Sequence, residues 1–177
     1  MAIDKNNTGY TFLFSIIMVL IVGTALAYTS LSLKPLQKKN EADKKMVDIL
    51  GAIGVNTSRA NAETDFPIYV KERLSIDSEG NVVNRSNGIV DPTDSSDPFN
   101  LDVKKDYRSK KPASILSFPL YKCEAEGGGT VYVIPVVGSG LWGPIWGFVA
   151  LENDMKTIYG AKFDHKTETP GLGAEIK

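Results

Sequence analysis

The chain has 177 residues, enough for one compact domain with appendages. Twenty Lys and Arg against 21 Asp and Glu give a net charge of −1, which argues against nucleic acid as the main partner, since such binding selects a basic face. Cys123 and His165 are each the only residue of their type, which excludes an internal disulfide and the usual Cys/His zinc sites.

After an N-terminal tail (1–9), Tyr10 to Tyr28 runs without a charged residue and is apolar on every side. At helical rise it covers roughly the hydrocarbon thickness of a bilayer. Tyr10 and Tyr28 stand at its ends, where aromatic rings favour the interface. A cleaved secretory signal is the rival reading, because Ala25-Leu26-Ala27 has the small-x-small form of a cleavage site. The length of the apolar run and the single preceding lysine, Lys5, favour a retained transmembrane helix over 10–30. Lys34, Lys38, Lys39, Lys44 and Lys45 follow it, and by the positive-inside rule they put the bulk of the protein in the cytoplasm.

From 34 to 53 the pattern turns amphipathic, with Leu36, Met46, Val47, Leu50 and Ile53 largely on one side. It predicts a separate juxtamembrane helix, opened by Pro35 in its first turn and ended by Gly51 and Gly54. The main domain is expected over 66–177. Ile68 to Val83 reads as a hairpin around a Ser78-Glu79-Gly80-Asn81 turn. Residues 84–113 carry Pro92, Pro98 and Pro112 among many polar residues and little periodic apolar pattern. A mobile insertion that buries little is expected there. Asp91, Asp94 and Asp97 do not read as a calcium loop, because prolines interrupt them and no closing glycine follows.

Four strand candidates come next: Leu116–Cys123, Thr130–Val137, Ile145–Leu151 and Thr157–Phe163. Gly127-Gly128-Gly129, Gly138-Ser139-Gly140 and Glu152-Asn153-Asp154 punctuate them, which predicts an antiparallel meander and an α+β fold. Apolar residues at both parities of 131–136 predict that this strand is covered on both faces, and Pro135 points to an edge or a bulge.

The last stretch, Asp164 to Ile176, packs glycines, a proline, hydroxyls and carboxylates into a short loop. Glycines permit close backbone approach and φ > 0, and Pro170 biases Thr169 toward extended geometry. A ligand loop and a structural turn before a helix both fit that composition. Trp142 and Trp146 fit either stacking on a flat ligand or a place in the core. His165 has no nucleophile or metal-ligand partner nearby in sequence and reads as structural. Nothing in the sequence supports acid–base or nucleophilic catalysis.

Glu168-Thr169-Pro170-Gly171-Leu172-Gly173 resembles the E-T-P-G-L-G signature of the extracytoplasmic FMN-binding domains. That family includes the NqrC components of the sodium-translocating NADH:quinone reductases and their counterparts in the Rnf electron-transport complexes. Gly138-Ser139-Gly140-Leu141-Trp142, with Trp146-Gly147-Phe148-Val149-Ala150-Leu151-Glu152, is similar to the G-x-G-L-W…F-V-A-x-E segment of the reductase branch. The close resemblance runs from about Thr130 to the end of the chain. It implies FMN as cofactor, partner subunits in a membrane redox complex, and electron transfer coupled to sodium movement. It also implies a bacterial inner-membrane anchor with the domain on the outer, periplasmic side, against the lysine count.

By the same resemblance Leu141 and Trp142 line the flavin pocket, while Trp146 is assigned to the core. Thr169, Pro170, Leu172 and the backbone of Gly171 and Gly173 make the loop contacts, and Glu168 bonds the flavin or caps the next helix. The family holds FMN covalently on the threonine of an S-G-A-T motif downstream of this loop. Thr130, Thr157, Thr167 and Thr169 lie outside such a context. Ala174-Glu175-Ile176-Lys177 reads as the first turn of a helix without a stop signal, so a longer protein is expected. The Rnf branch and a cofactor-free, membrane-anchored assembly domain stand as the alternatives.

Overall fold

The computed structural model describes residues 8–140 and 143–166. It divides into two compact units, Met1–Lys39 and Asn40–Lys177.

In the first unit, helix α1 (Thr8–Ala52, continuing into the second unit) exposes Phe12, Leu13, Ile16, Val19, Leu20 and Leu26. Its most apolar 18-residue window has a mean hydropathy of 2.2, long and apolar enough to cross a membrane. Its hydroxyls are turned back on the helix. Ser15 Oγ donates to Thr11 O at 2.8 Å, and Thr29 Oγ1 to Ala25 O at 2.8 Å. Each satisfies its own polarity locally, as apolar surroundings require. Where the sequence pattern predicts a break and a second helix, α1 runs on through Pro35. An internal proline costs about 3 kcal/mol. The good helix formers on both sides of Pro35 offset that cost, so the proline stays inside one helix instead of opening another.

In the second unit α1 ends in a Schellman motif. Val55 N–H donates to Leu50 O and Gly54 N–H to Gly51 O, with Gly54 at φ +84°. A short helix α2 (Ala62–Tyr69) leads into a six-stranded antiparallel sheet of order β2-β1-β3-β4-β5-β6. The strands are β1 (Val70–Ile76), β2 (Val82–Ser86), β3 (Phe118–Glu124), β4 (Thr130–Ser139), β5 (Pro144–Glu152) and β6 (Ile158–His165). Asp77 closes the β1–β2 turn by accepting from Glu79 and Asn81 N–H, while Gly80 supplies φ +87°.

The core joins Met46, Ile49, Leu50 and Ile53 of α1 to Phe66 and to Tyr121, Val131, Val133, Phe148 and Ala150 of the sheet. Phe66 meets Phe99 edge-on at 5.6 Å between centroids. Leu36, placed on the apolar face by the sequence pattern, lies in the first unit and is exposed. In β4 only Val131 and Val133 are buried, whereas Tyr132, Ile134 and Val136 are half-buried. The expected coverage of both faces is therefore met on one face alone. Pro135 lies beyond Val133, the last β4 residue paired with β3, where its missing N–H costs no ladder bond on that side.

Residues 84–113 also depart from expectation. They contain β2, a 3-10 turn at Pro98–Asn100 and helix α3 (Val103–Ser109), and they bury Asp97, Pro98 and Phe99. Two cations draw this segment in. Arg73, fully buried, donates to Asp97 through Nε at 2.9 Å and Nη2 at 2.6 Å, and through Nη1 to Gly88 O at 2.8 Å. Lys45 of α1 donates to Phe99 O and, at 3.3 Å, to Leu101 O. Its ammonium lies over the Phe99 ring, and burial pulls its pKa down to about 8. Such long-range partners leave no periodic trace in the segment itself.

Candidate functional site

Antiparallel pairing brings both glycine-rich motifs to one end of the sheet. β4 and β5 pair from Val131↔Glu152 to Ser139↔Pro144, so residues 140–143 close that hairpin. Gly140 N–H donates to Gly143 O at 2.7 Å across the turn. β6 then returns along β5 with Trp146↔Asp164 and Ile145↔His165, and Lys166 N–H reaches Pro144 O at 3.4 Å. The chain therefore leaves the sheet toward Glu168 beside the turn that carries Leu141 and Trp142. Leu141, Trp142, Glu168, Thr169, Pro170, Gly171, Leu172 and Gly173 themselves lie outside the described residues.

Three described side chains frame this end. Trp146, assigned to the core from sequence, is only half-buried, and its ring is covered by the Lys104 ammonium of α3 at 4.2 Å from the centroid. A cation over indole stabilises by about 0.5–1 kcal/mol when exposed. Asp164 accepts from His165 N–H at 2.8 Å through Oδ1 and from Lys44 at 2.6 Å through Oδ2. Burial opposes charge on both partners of that pair. The ion pair outweighs it, holding Asp164 below its usual range and Lys44 above its own. His165 uses its backbone N–H here, and its role from this geometry is structural.

Next to Trp146 in the sheet is its β4 partner, Val137, which also lines a cleft of about 310 Å³. Val103, Tyr107, Leu116 and Phe118 give that cleft apolar and aromatic walls, with Lys110 at the lining. Lys104, Lys105, Arg108, Lys110 and Lys111 outnumber Asp102 and Asp106 along 102–111, so a nearly neutral chain concentrates positive charge at this sheet end. Lys44, Lys104 and Asp164 escaped the sequence reading. Their only sequence signal is a scatter of ordinary surface charges.

This end of the sheet carries the match to a class: residues 140–177 match the FMN-binding domain family. The chain is a homologue of NqrC, a component of the Na(+)-translocating NADH-quinone reductases. It is 28% identical over 189 residues to the Pseudomonas aeruginosa protein of that name, covering 98% of this chain and 69% of the relative. With the Yersinia pestis protein it shares 29% over 190 residues, covering 100% and 71%. Among solved structures, NqrC of Parabacteroides distasonis superposes with a TM-score of 0.66 at 36% identity, over 81% of this chain and 63% of that one. Shewanella oneidensis NqrC gives 0.55 at 28% identity, over 80% and 65%. The chain thus spans about two thirds of the length of these relatives.

Proposed function

We propose that this chain is the membrane-anchored flavin subunit of a respiratory NADH:quinone reductase that couples electron transfer to sodium translocation. The observation that carries the reading is the β5–β6 pairing, which delivers the G-S-G-L-W turn and the E-T-P-G-L-G segment to one sheet end.

The described residues there fit FMN. Val103, Leu116, Phe118 and Val137 with Tyr107 offer apolar and aromatic surface to a flat ring, and Lys110 offers an ammonium to a phosphate. In this reading Leu141 and Trp142 cover the ring and exclude water. Thr169 and the backbone of Gly171 to Gly173 orient it, Pro170 and Leu172 shape the loop, and Glu168 accepts hydrogen bonds from ring or ribityl groups. When bound, FMN supplies one-electron redox chemistry, while the protein sets its position and surroundings. No threonine of this sequence is assigned the phosphoester bond known in the resembling family.

The apolar part of α1 is the membrane anchor of the proposal. The domain lies on the periplasmic side among partner subunits of the complex. The family resemblance supports that side, and the lysines after the apolar run oppose it.

Flavin content tests the assignment. The chain isolated with its native membrane complex is expected to carry one FMN, read by flavin fluorescence of the separated subunit and by intact mass. A flavin-free chain within an intact, electron-transferring complex would overturn the redox reading in favour of an assembly domain.

A further inference from the structure

Lys44 joins two elements far apart in sequence. Its ammonium bridges Asp48 of α1 at 2.7 Å and Asp164 of β6 at 2.6 Å. The carboxylates are largely covered, with side-chain exposures of 14% and 21%. This distinguishes the bridge from an exposed pair such as Lys71–Glu124, at 48% and 52%, where solvent screens the attraction. Asp164 is engaged on both oxygens, one held by Lys44 and the other by the N–H of His165. Its backbone pairs with Trp146, whose ring lies beneath Lys104. The side chain of Asp164 thus anchors β6 to α1 at the last paired residues before the chain turns away from the sheet.

We propose that Lys44 is a positioning residue for the candidate flavin loop, fixing through Asp164 and His165 the direction in which the chain leaves β6 toward Glu168–Gly173. The proposal rests on the flavin assignment above and adds to it a residue outside the loop motif. Small displacements are costly where a cofactor is held: about 1 Å of misplacement at a reacting centre can cost about a hundredfold in rate. Without Lys44, Asp164 keeps its local hydrogen bond to His165 N–H but loses the ammonium that balances its largely covered charge. The end of β6 then relaxes toward solvent.

The test compares Lys44→Met and Lys44→Arg with the wild type, all as the full chain in its native complex. Lys71→Met serves as a control that removes an exposed pair elsewhere on the sheet. Amide hydrogen exchange of the peptide spanning 158–166 is expected to quicken about tenfold in Lys44→Met and to return toward wild type in Lys44→Arg, whose guanidinium can bridge both carboxylates. Flavin midpoint potential and retained flavin are expected to shift in Lys44→Met alone.

Unchanged exchange and unchanged potential in Lys44→Met would overturn the proposal. So would equal disruption by Met and Arg, which would make the role one of packing. If the wild type carries no flavin, the cofactor assignment fails separately. The exchange comparison then still decides whether Lys44 holds the end of β6.

Discussion

Asp97→Asn probes the contact that folds residues 84–101 onto the sheet. The carboxylate accepts four hydrogen bonds: from Arg73 Nε at 2.9 Å, Arg73 Nη2 at 2.6 Å, Ser86 Oγ at 2.9 Å and Phe99 N–H at 2.8 Å. An asparagine keeps one acceptor oxygen and turns an NH2 group toward other donors. The fully buried guanidinium loses its counter-charge. Breaking a buried pair from one side costs about 3–5 kcal/mol. Arg73 retains Gly88 O at 2.8 Å and Asn87 O at 3.3 Å, which places the expected loss near the lower end, about 3 kcal/mol. For a domain of this size that corresponds to a Tm lower by about 10 °C.

Equilibrium urea unfolding followed by tryptophan fluorescence measures the loss. The folded state holds the Asp97 carboxyl below its ordinary 3.8, the ion pair outweighing burial. Its contribution is therefore fully present above about pH 4 and fades as the pH falls through the lower, folded-state value. The gap between wild type and Asp97→Asn should close over that acid range. A loss under about 1 kcal/mol at pH 7 would refute the argument, because it would give this pair no more weight than a solvent-exposed bridge.

Gly160→Ala should loosen the packing of α1 on β6, since an added Cβ would stand 2.5 Å from the Ala52 carbonyl oxygen, which is backbone and cannot swing aside. A cost of about 1–3 kcal/mol in urea unfolding is expected, and a neutral substitution would mean that the helix is not seated there. Burial pushes the Cys123 thiol up to about 12, so at pH 8 a maleimide should react with the native chain far more slowly than with the urea-unfolded chain. Equal labelling rates before and after unfolding would contradict the buried position of β3.

The meander was legible because its signals are local. Alternation marks the strands and glycine clusters mark the turns, and the expected Thr130–Val137 and Ile145–Leu151 became Thr130–Ser139 and Pro144–Glu152. What failed depends on distant partners. Phe99 is one aromatic among polar neighbours and shows no period, yet Lys45 and Arg73 draw its segment into the core. Pro67 hides α2 in a stretch of only eight residues, and Pro35 reads as a helix start because propensity is local while α1 is continuous.

The candidate site divides along the same line. Its motifs could be read because a loop that must approach a ligand writes its glycines and proline into consecutive positions. Their meeting could not, because it follows from the β5–β6 register, and the framing groups Lys44, Asp164 and Lys104 come from three separate elements. A function set by those framing contacts will respond to changes well outside the motif. Substitutions at Lys44 therefore discriminate between a loop that acts alone and one whose geometry is imposed by α1.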